Sequence, residues 1–233
     1  MSDQDAFTLT SYNIRKAIGR DGKRSPERIV EVLNAAAADI VILQEADLRF
    51  SGRRAIFSAT DLFDKTGLTV IDVAPEHPGL GWHGNMLLVR PRVRVRSVHP
   101  IPLSGLEPRG AVASELQIGP RKLHLIHAHL GLVPAQRKRQ AQHLVDNIGL
   151  SEATVLAGDL NAAGKAPQSL APIYKRLTEV ALGPSFPTRW PVVCFDRIFH
   201  NSALHLVDAQ VHDTPLARQA SDHLPVSATF TFV

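Results

Sequence analysis

The stretch Asp39-Ile40-Val41-Ile42-Leu43-Gln44-Glu45, DIVILQE, decides how the chain folds. Its apolar residues run on without a polar alternate, the pattern of a strand buried on both faces rather than one with a wet side. It then stops on an amide and a carboxylate. Ahead of it, SPERIVEVLNAAAA (Ser25 to Ala38) reads as a helix. Ser25 is the N-cap, Pro26 takes the first helical position, Glu27 lies in the first turn, and Ile29, Val30 and Leu33 supply the apolar side. Earlier still, FTLTSYNIR (Phe7 to Arg15) alternates Phe7, Leu9 and Ser11 against Thr8 and Thr10 and ends in Asn13, which makes it a strand. The chain therefore opens as strand, helix, strand, with polar residues at both strand ends.

Further along, a helix is expected over 58–67 and strands near 69–73, 83–90 and 92–98. RVRVRSV, with Arg92, Arg94 and Arg96 between valines, reads as a half-buried strand whose solvent face is basic. AVASELQI and RKLHLIHAHL are further strands, PAQRKRQAQHLVDNI is a helix opened by Pro134, and ATVLAGDLN is a strand with a polar end. VCFDRIFH, ALHLVDAQV and LPVSATFTFV complete the series. Many strands with three or four helices between them imply two packed sheets flanked by helices. The Pro/Gly-rich stretches 74–81 and 100–110 read as surface loops. With no repeat or long linker, one domain over 1–233 is expected.

Composition excludes more than it identifies. The 233 residues are 44% hydrophobic and 21% charged, ordinary for a globular protein. Lys and Arg outnumber Asp and Glu by 26 to 22, a mild excess that suits a handler of anions without demanding nucleic acid. The single cysteine, Cys194, rules out an intrachain disulfide and argues against a cysteine zinc site. MSDQDAF has no basic-then-apolar leader, and no apolar run is long enough to span a bilayer, so a cytoplasmic protein is expected.

The chemistry gathers at strand ends. Asn13 ends the first strand, Glu45 the second, His129 the LIHAHL strand, and Asp159 with Asn161 the VLAGDLN strand. Asp196 sits within FDRIF, and Asp222 and His223 precede the last strand, SDHLPV. Each has an ordinary alternative: a solvated terminus for Glu45, a turn cap for Asn13, a plain turn for GDLN, a core histidine for His129 or for His127 on the same face. Asp196 resists this, because a carboxylate among apolar residues needs a partner. Ligands of open sheets bind beyond the carboxyl ends of the strands. If these ends converge, they form one site.

SYNIR, ILQE, GNMLLVR, HAHLG, GDLN, FDRIF and SDHLPV together resemble, in order and spacing, the endonuclease/exonuclease/phosphatase superfamily over residues 7 to 232. That group includes abasic-site endonucleases, type I deoxyribonucleases, neutral sphingomyelinases and inositol polyphosphate 5-phosphatases. The resemblance implies a four-layer α/β/β/α sandwich, two mixed sheets flanked by helices, and cleavage of phosphate esters with Mg²⁺ or Mn²⁺. It implies Glu45 as principal metal ligand, with Asn13 and Asp222 beside the metal. Asp159 would orient or deprotonate the attacking water, and Asn161 and His129 would bind the phosphate. Asp196 would hydrogen-bond His223 and favour its imidazolium, which neutralises charge on the phosphoryl group. Whether Asp159 or His223 is the base stays open at this point.

Two departures matter. Nuclease members often carry an aspartate two residues after the first asparagine, where this chain has Arg15, a cation placed to meet substrate phosphate. The loop PTRWPVVCFDRIF also leaves little room for a DNA-inserting element. Arg109 and Asn85 are further substrate-binding candidates, Trp190 and Phe186 candidate pocket walls, and Arg137, Lys138 and Arg139 a solvated helix face. The expected substrate is a phosphoester: a small phosphodiester, a phospholipid or, alternatively, DNA or RNA. A binding module that senses a phosphorylated ligand is the remaining alternative. No stable protein partner and no membrane insertion are implied.

Overall fold

The computed structural model describes residues 6–48, 51–76, 79–148 and 152–233. In chain order its first half holds β1 (Ala6–Asn13), α1 (Pro26–Ala36), β2 (Ile40–Gln44), β3 (Asp47–Leu48), β4 (Arg54–Ala55), α2 (Ala59–Thr66), β5 (Thr69–Ile71), β6 (Met86–Val89), β7 (Val93–Leu103) and β8 (Arg109–Ile118). Then follow β9 (Arg121–His129), α3 (Pro134–Asp146), β10 (Ala153–Asp159), α4 (Ala171–Tyr174), β11 (Thr178–Glu179), β12 (Asp196–His200), β13 (Leu204–Val211), α5 (Pro215–Ala220) and β14 (Val226–Phe232). The Ser25 cap acts as read, its hydroxyl accepting from Arg28 N at the start of α1; α2 lies within the expected 58–67, with Ser58 as its cap and a left-handed Gly67 at its end.

Two six-stranded sheets carry the molecule, in the orders β13-β14-β1-β2-β6-β5 and β11-β12-β10-β9-β8-β7. Each has one parallel pair, β1 with β2 and β9 with β10, joined across by α1 and α3 respectively; the other pairings are antiparallel. DIVILQE becomes β2, buried along its whole length. Its residues divide by parity: Ile40 and Ile42 join a cluster that draws on both sheets, whereas Val41 and Leu43 pack with α1 and α2. A third cluster sits between the second sheet and α3. Three apolar clusters separate four layers, the α/β/β/α sandwich.

Two expectations need correction. The stretch 100–110 is loop only over 104–108: β7 runs on to Leu103 through Pro100 and Pro102, and β8 begins at Arg109. Proline fits there because β7 is an edge strand, where a missing N–H removes no bond the sheet requires. Arg137 is not on a solvated face but buried, its Nε donating to Ser169 and its Nη1 to the carbonyls of Gly131 and Leu132, which ties the start of α3 to the loop after β9. RVRVR is half-buried, with Arg94 and Arg96 exposed. Part of the stretch 74–81 lies outside the described residues. No helix among those described is long and apolar enough to cross a membrane.

Gly158, in GDLN, is required by contact. Its φ is +142°, and a Cβ there would lie 2.0 Å from the Ala128 carbonyl oxygen. Gly158→Ala must therefore force β9 and β10 apart. A loss of about 2–4 kcal/mol in urea unfolding is expected, and an unchanged midpoint would contradict this reading of the glycine.

Candidate active site

Topology explains why the polar residues occupy opposite ends of their strands in sequence yet one place in space. β1, β9 and β10 run toward the site and end on Asn13, His129 and Asp159. β12 runs antiparallel to β10, so Asp196 at its start pairs with Asp159. β14 runs antiparallel to β1, so Asp222 and His223 just ahead of it meet the end of β1. Parity places the side chains: Leu9, Leu125, Val155 and Ile198 of the inter-sheet core share their strand faces with Asn13, His129, Asp159 and Asp196. The polar residues continue the core to its open end.

Asp159 stands at the centre, 1% exposed. Its Oδ2 accepts from Asn13 Nδ2 at 2.9 Å and lies 3.3 Å from His129 Nε2 and 3.9 Å from His223 Nε2. Its Oδ1 accepts from the Asn161 backbone at 3.0 Å, and Asn161 itself is left-handed, its amide donating to the Leu130 carbonyl. Asn13, on the first sheet, thus joins Asp159, on the second.

His223 makes the other bridge. Its Nδ1 lies 2.7 Å from Oδ2 of Asp196, which is wholly buried and also accepts from Ser185 Oγ at 2.5 Å. Burial on its own would lower the His223 pKa. The charges of Asp196, Asp159 and Asp222 and the Asp196 hydrogen bond outweigh it and push the value up to about 10. At neutral pH the ring is an imidazolium. The loop ahead of β12 braces it: Phe186 stacks 4.8 Å from the His223 ring, Thr188 N donates to the Asp222 carbonyl, and Leu224 N donates to that of Ser185.

At the mouth, two acids carry cations. Arg15 Nε lies 3.3 Å from Asp222 Oδ2, and the Lys16 ammonium pairs with Glu45. Lys16 was not singled out by the sequence, because only the backbone brings it to Glu45. Arg15, Lys16 and Ala17 all have φ between 46° and 57°, a left-handed turn without glycine that costs about 1–2 kcal/mol per residue. It is held by Lys16 N on the Glu45 carbonyl and by Arg15 N on Asn13 Oδ1. Glu45 is also left-handed, beside Gly84.

The remaining candidates divide. Arg109 lies against the His129 ring, its Nη1 2.6 Å from Nε2, and pairs with Glu107 at 2.7 Å. Asn85 is fully buried, its amide donating to the carbonyls of Trp82 and Gly110, so it ties the loop ahead of β6 to the start of β8. Trp190 is 74% exposed, whereas Phe186 packs on His223. His127, below His129, is wholly buried and its ring nitrogens meet no hydrogen-bonding group; burial lowers its pKa to about 3.

Two acid groups compete as a metal centre. Among the described residues, Asp159, Asp196 and His223 are the group of three acid or imidazole ligands close enough to share an ion. They suit a hard ion poorly: all three are buried, His223 Nδ1 is taken by Asp196, and such an ion keeps several of its waters. Glu45 and Asp222 offer carboxylate oxygens on side chains that are 25% and 33% exposed, each paired with a cation, and the Asn13 amide oxygen accepts from Arg15 N beside them. That fits a hard divalent ion, which binds few protein oxygens and keeps its waters.

Residues 10–223 match the family model described as Endonuclease/Exonuclease/phosphatase family. No curated protein matches the sequence. Among solved structures, the human Nocturnin catalytic domain with bound sulfate is 20% identical, with 100% of this chain and 97% of that one covered, at a TM-score of 0.77. An endonuclease/exonuclease/phosphatase from Beutenbergia cavernae is also 20% identical, covering 98% of this chain and 72% of that one, at 0.77. D. rerio TDP2 in complex with single-strand DNA product is 17% identical, covering 97% and 99%, at 0.72. At these identities the likeness establishes the fold.

The charge on His223 is open to measurement. In ¹⁵N-detected NMR its ring should stay doubly protonated through neutral pH and titrate near 10. Because the folded value is raised, the stability it contributes is complete below the ordinary imidazole value of about 6.5 and is lost as pH rises through about 10. Asp196→Asn should bring the titration down toward or below the ordinary value. A neutral ring at pH 7 in the unaltered protein would contradict the assignment.

Proposed function

The chain belongs to the Endonuclease/Exonuclease/phosphatase family, and on that premise we propose that it is a Mg²⁺- or Mn²⁺-dependent phosphodiesterase. The observation that carries this reading is the buried Asp196–His223–Asp159 chain, a fixed positive charge between two carboxylates at the open end of the inter-sheet core. Such a charge has a use where an oxyanion develops beside it.

The division of labour we assign follows the geometry. Asp196 and Asp159 flank His223 and favour its cationic form, so we assign Asp159 as the base and His223 as the electrostatic partner of the phosphoryl oxygens. Water attacks phosphorus in line, its proton passes to Asp159, the new P–O bond forms, and the ester oxygen opposite departs with its electron pair. Asn13 orients the Asp159 carboxylate, and His129 and Asn161 face the non-bridging oxygens. Arg15, about two-fifths exposed, supplies a further cation at the mouth. A divalent ion on Glu45, flanked by Asn13 and Asp222, would polarise the phosphate and offset charge on the leaving oxygen.

The geometry favours a small or amphiphilic substrate over a nucleic-acid duplex. The exposed Arg94 and Arg96 lie at the start of β7, whereas its far end, Leu103, pairs with Arg109 near the site. At about 3.3 Å per residue they stand roughly 23 to 30 Å away along the strand and give no phosphate track into the centre. Nuclease activity remains the alternative within the same chemistry.

The test is metal-dependent hydrolysis of bis-p-nitrophenyl phosphate, a phospholipid, an inositol phosphate, single-stranded RNA, plasmid DNA and an abasic duplex. Glu45→Ala and His223→Ala should each lower the rate on the best substrate by about 10²–10⁴-fold. Full activity in either variant would overturn the proposal, and the best substrate separates phosphodiesterase from nuclease.

A further inference from the structure

A cavity of about 640 Å³ adjoins the catalytic centre, and Asp196 belongs to both. Its walls come from three loops at the site end of the second sheet: Ala163 after β10, Val180 and Leu182 after β11, Val192 and Cys194 ahead of β12. These are aliphatic or thiol surfaces; two charged side chains, Lys165 and Glu179, line the cavity as well, Glu179 being paired with Arg197. Arg197 also lines it, but both Nη atoms are engaged: Nη2 with the carbonyls of Ala162 and Gly164, at 2.8 and 2.7 Å, and Nη1 with Tyr174 and Glu179. No aromatic ring lines the cavity, so a nucleobase would find nothing to stack on.

The surface around the site points the same way. Of the eight large apolar side chains exposed among the described residues, five stand in loops at the catalytic end: Leu106, Leu132, Val133, Trp190 and Val192. Scattered apolar residues need no explanation, but a concentration beside a polar phosphate centre marks where an amphiphile can rest. The centre is anion-binding and its flank is aliphatic.

We propose that this cavity is the subsite for the alkyl chain of an amphiphilic phosphoester, whose phosphate sits between His223 and the metal ligands. The inference rests on the phosphoester reading above and names the substrate class it acts on. The chain enters past Val192, lies against Val180 and Leu182, and leaves the phosphorus at the mouth of the inter-sheet core. Burying each methylene removes apolar surface from water, so affinity should rise with chain length until the cavity is full.

Calorimetric titration of the full chain, with Mg²⁺ present, against methyl, butyl, hexyl and octyl phosphate below their micelle-forming concentrations tests this. Affinity should rise about two- to fourfold per methylene. The slope should be lost in Val192→Asp, a substitution at a position 74% exposed and so tolerant of charge, and in Ala181→Trp, which fills the cavity mouth. A flat series in the unaltered protein with methyl phosphate still bound would overturn the subsite and leave the phosphoester reading standing. A slope that survives in both variants would place the chain elsewhere and also overturn it. Absence of binding by every member, methyl phosphate included, would overturn both readings.

Discussion

A carboxylate with almost no access to water, Asp159, sets the terms for the rest of the site. A buried charge is tolerated only when it is hydrogen-bonded and offset. Asn13 reaches it from the other sheet, Asn161 N closes on its second oxygen, and His129 and His223 stand within 4 Å. Asp196 is still more deeply buried and holds His223 from behind. The two sheets are thus joined at their open end by polar bonds, where further back they are joined by apolar packing. Stability and reactivity meet in the same residues: the cation that makes two buried carboxylates tolerable is also the one a phosphoryl group would meet.

The molecule separates its acids by wetness. Asp159 and Asp196 are dry and hold a proton on His223 between them; Glu45 and Asp222 are wet and carry Lys16 and Arg15. In the proposed chemistry the dry pair around His223 would serve electrostatics and proton transfer, and the wet oxygen pair would take the cation. Left-handed backbone occurs on both sides, in the turn from Arg15 to Ala17 and at Glu45 on the wet side and at Asn161 beside Asp159 on the dry one.

Much of this was legible from the residues. The unbroken apolar run of DIVILQE announced a strand covered on both faces, and the cap at Ser25 marked the start of α1. Polar endings on otherwise apolar strands marked the site, because only a shared open end gives them a common purpose. Other features left no local signal. Lys16 reaches Glu45 only through a left-handed turn that no glycine advertises. Ser185 meets Asp196 through a loop closed against SDHLPV. Pro100 and Pro102 looked like loop until the topology made β7 an edge, and Arg137 looked like surface until the loop after β9 folded over it. The aliphatic cavity is assembled from three loops, each unremarkable alone.

The central claim is that the dry cluster holds a proton and the wet carboxylates hold the metal. Anomalous diffraction from crystals soaked in Mn²⁺ tests it directly. The account predicts a peak on the Glu45 carboxylate, beside Asn13 and Asp222, with the Lys16 ammonium displaced from Glu45. A peak among Asp159, Asp196 and His223 instead would contradict it, since a metal there requires His223 to be neutral and removes the cation on which the proposed chemistry depends.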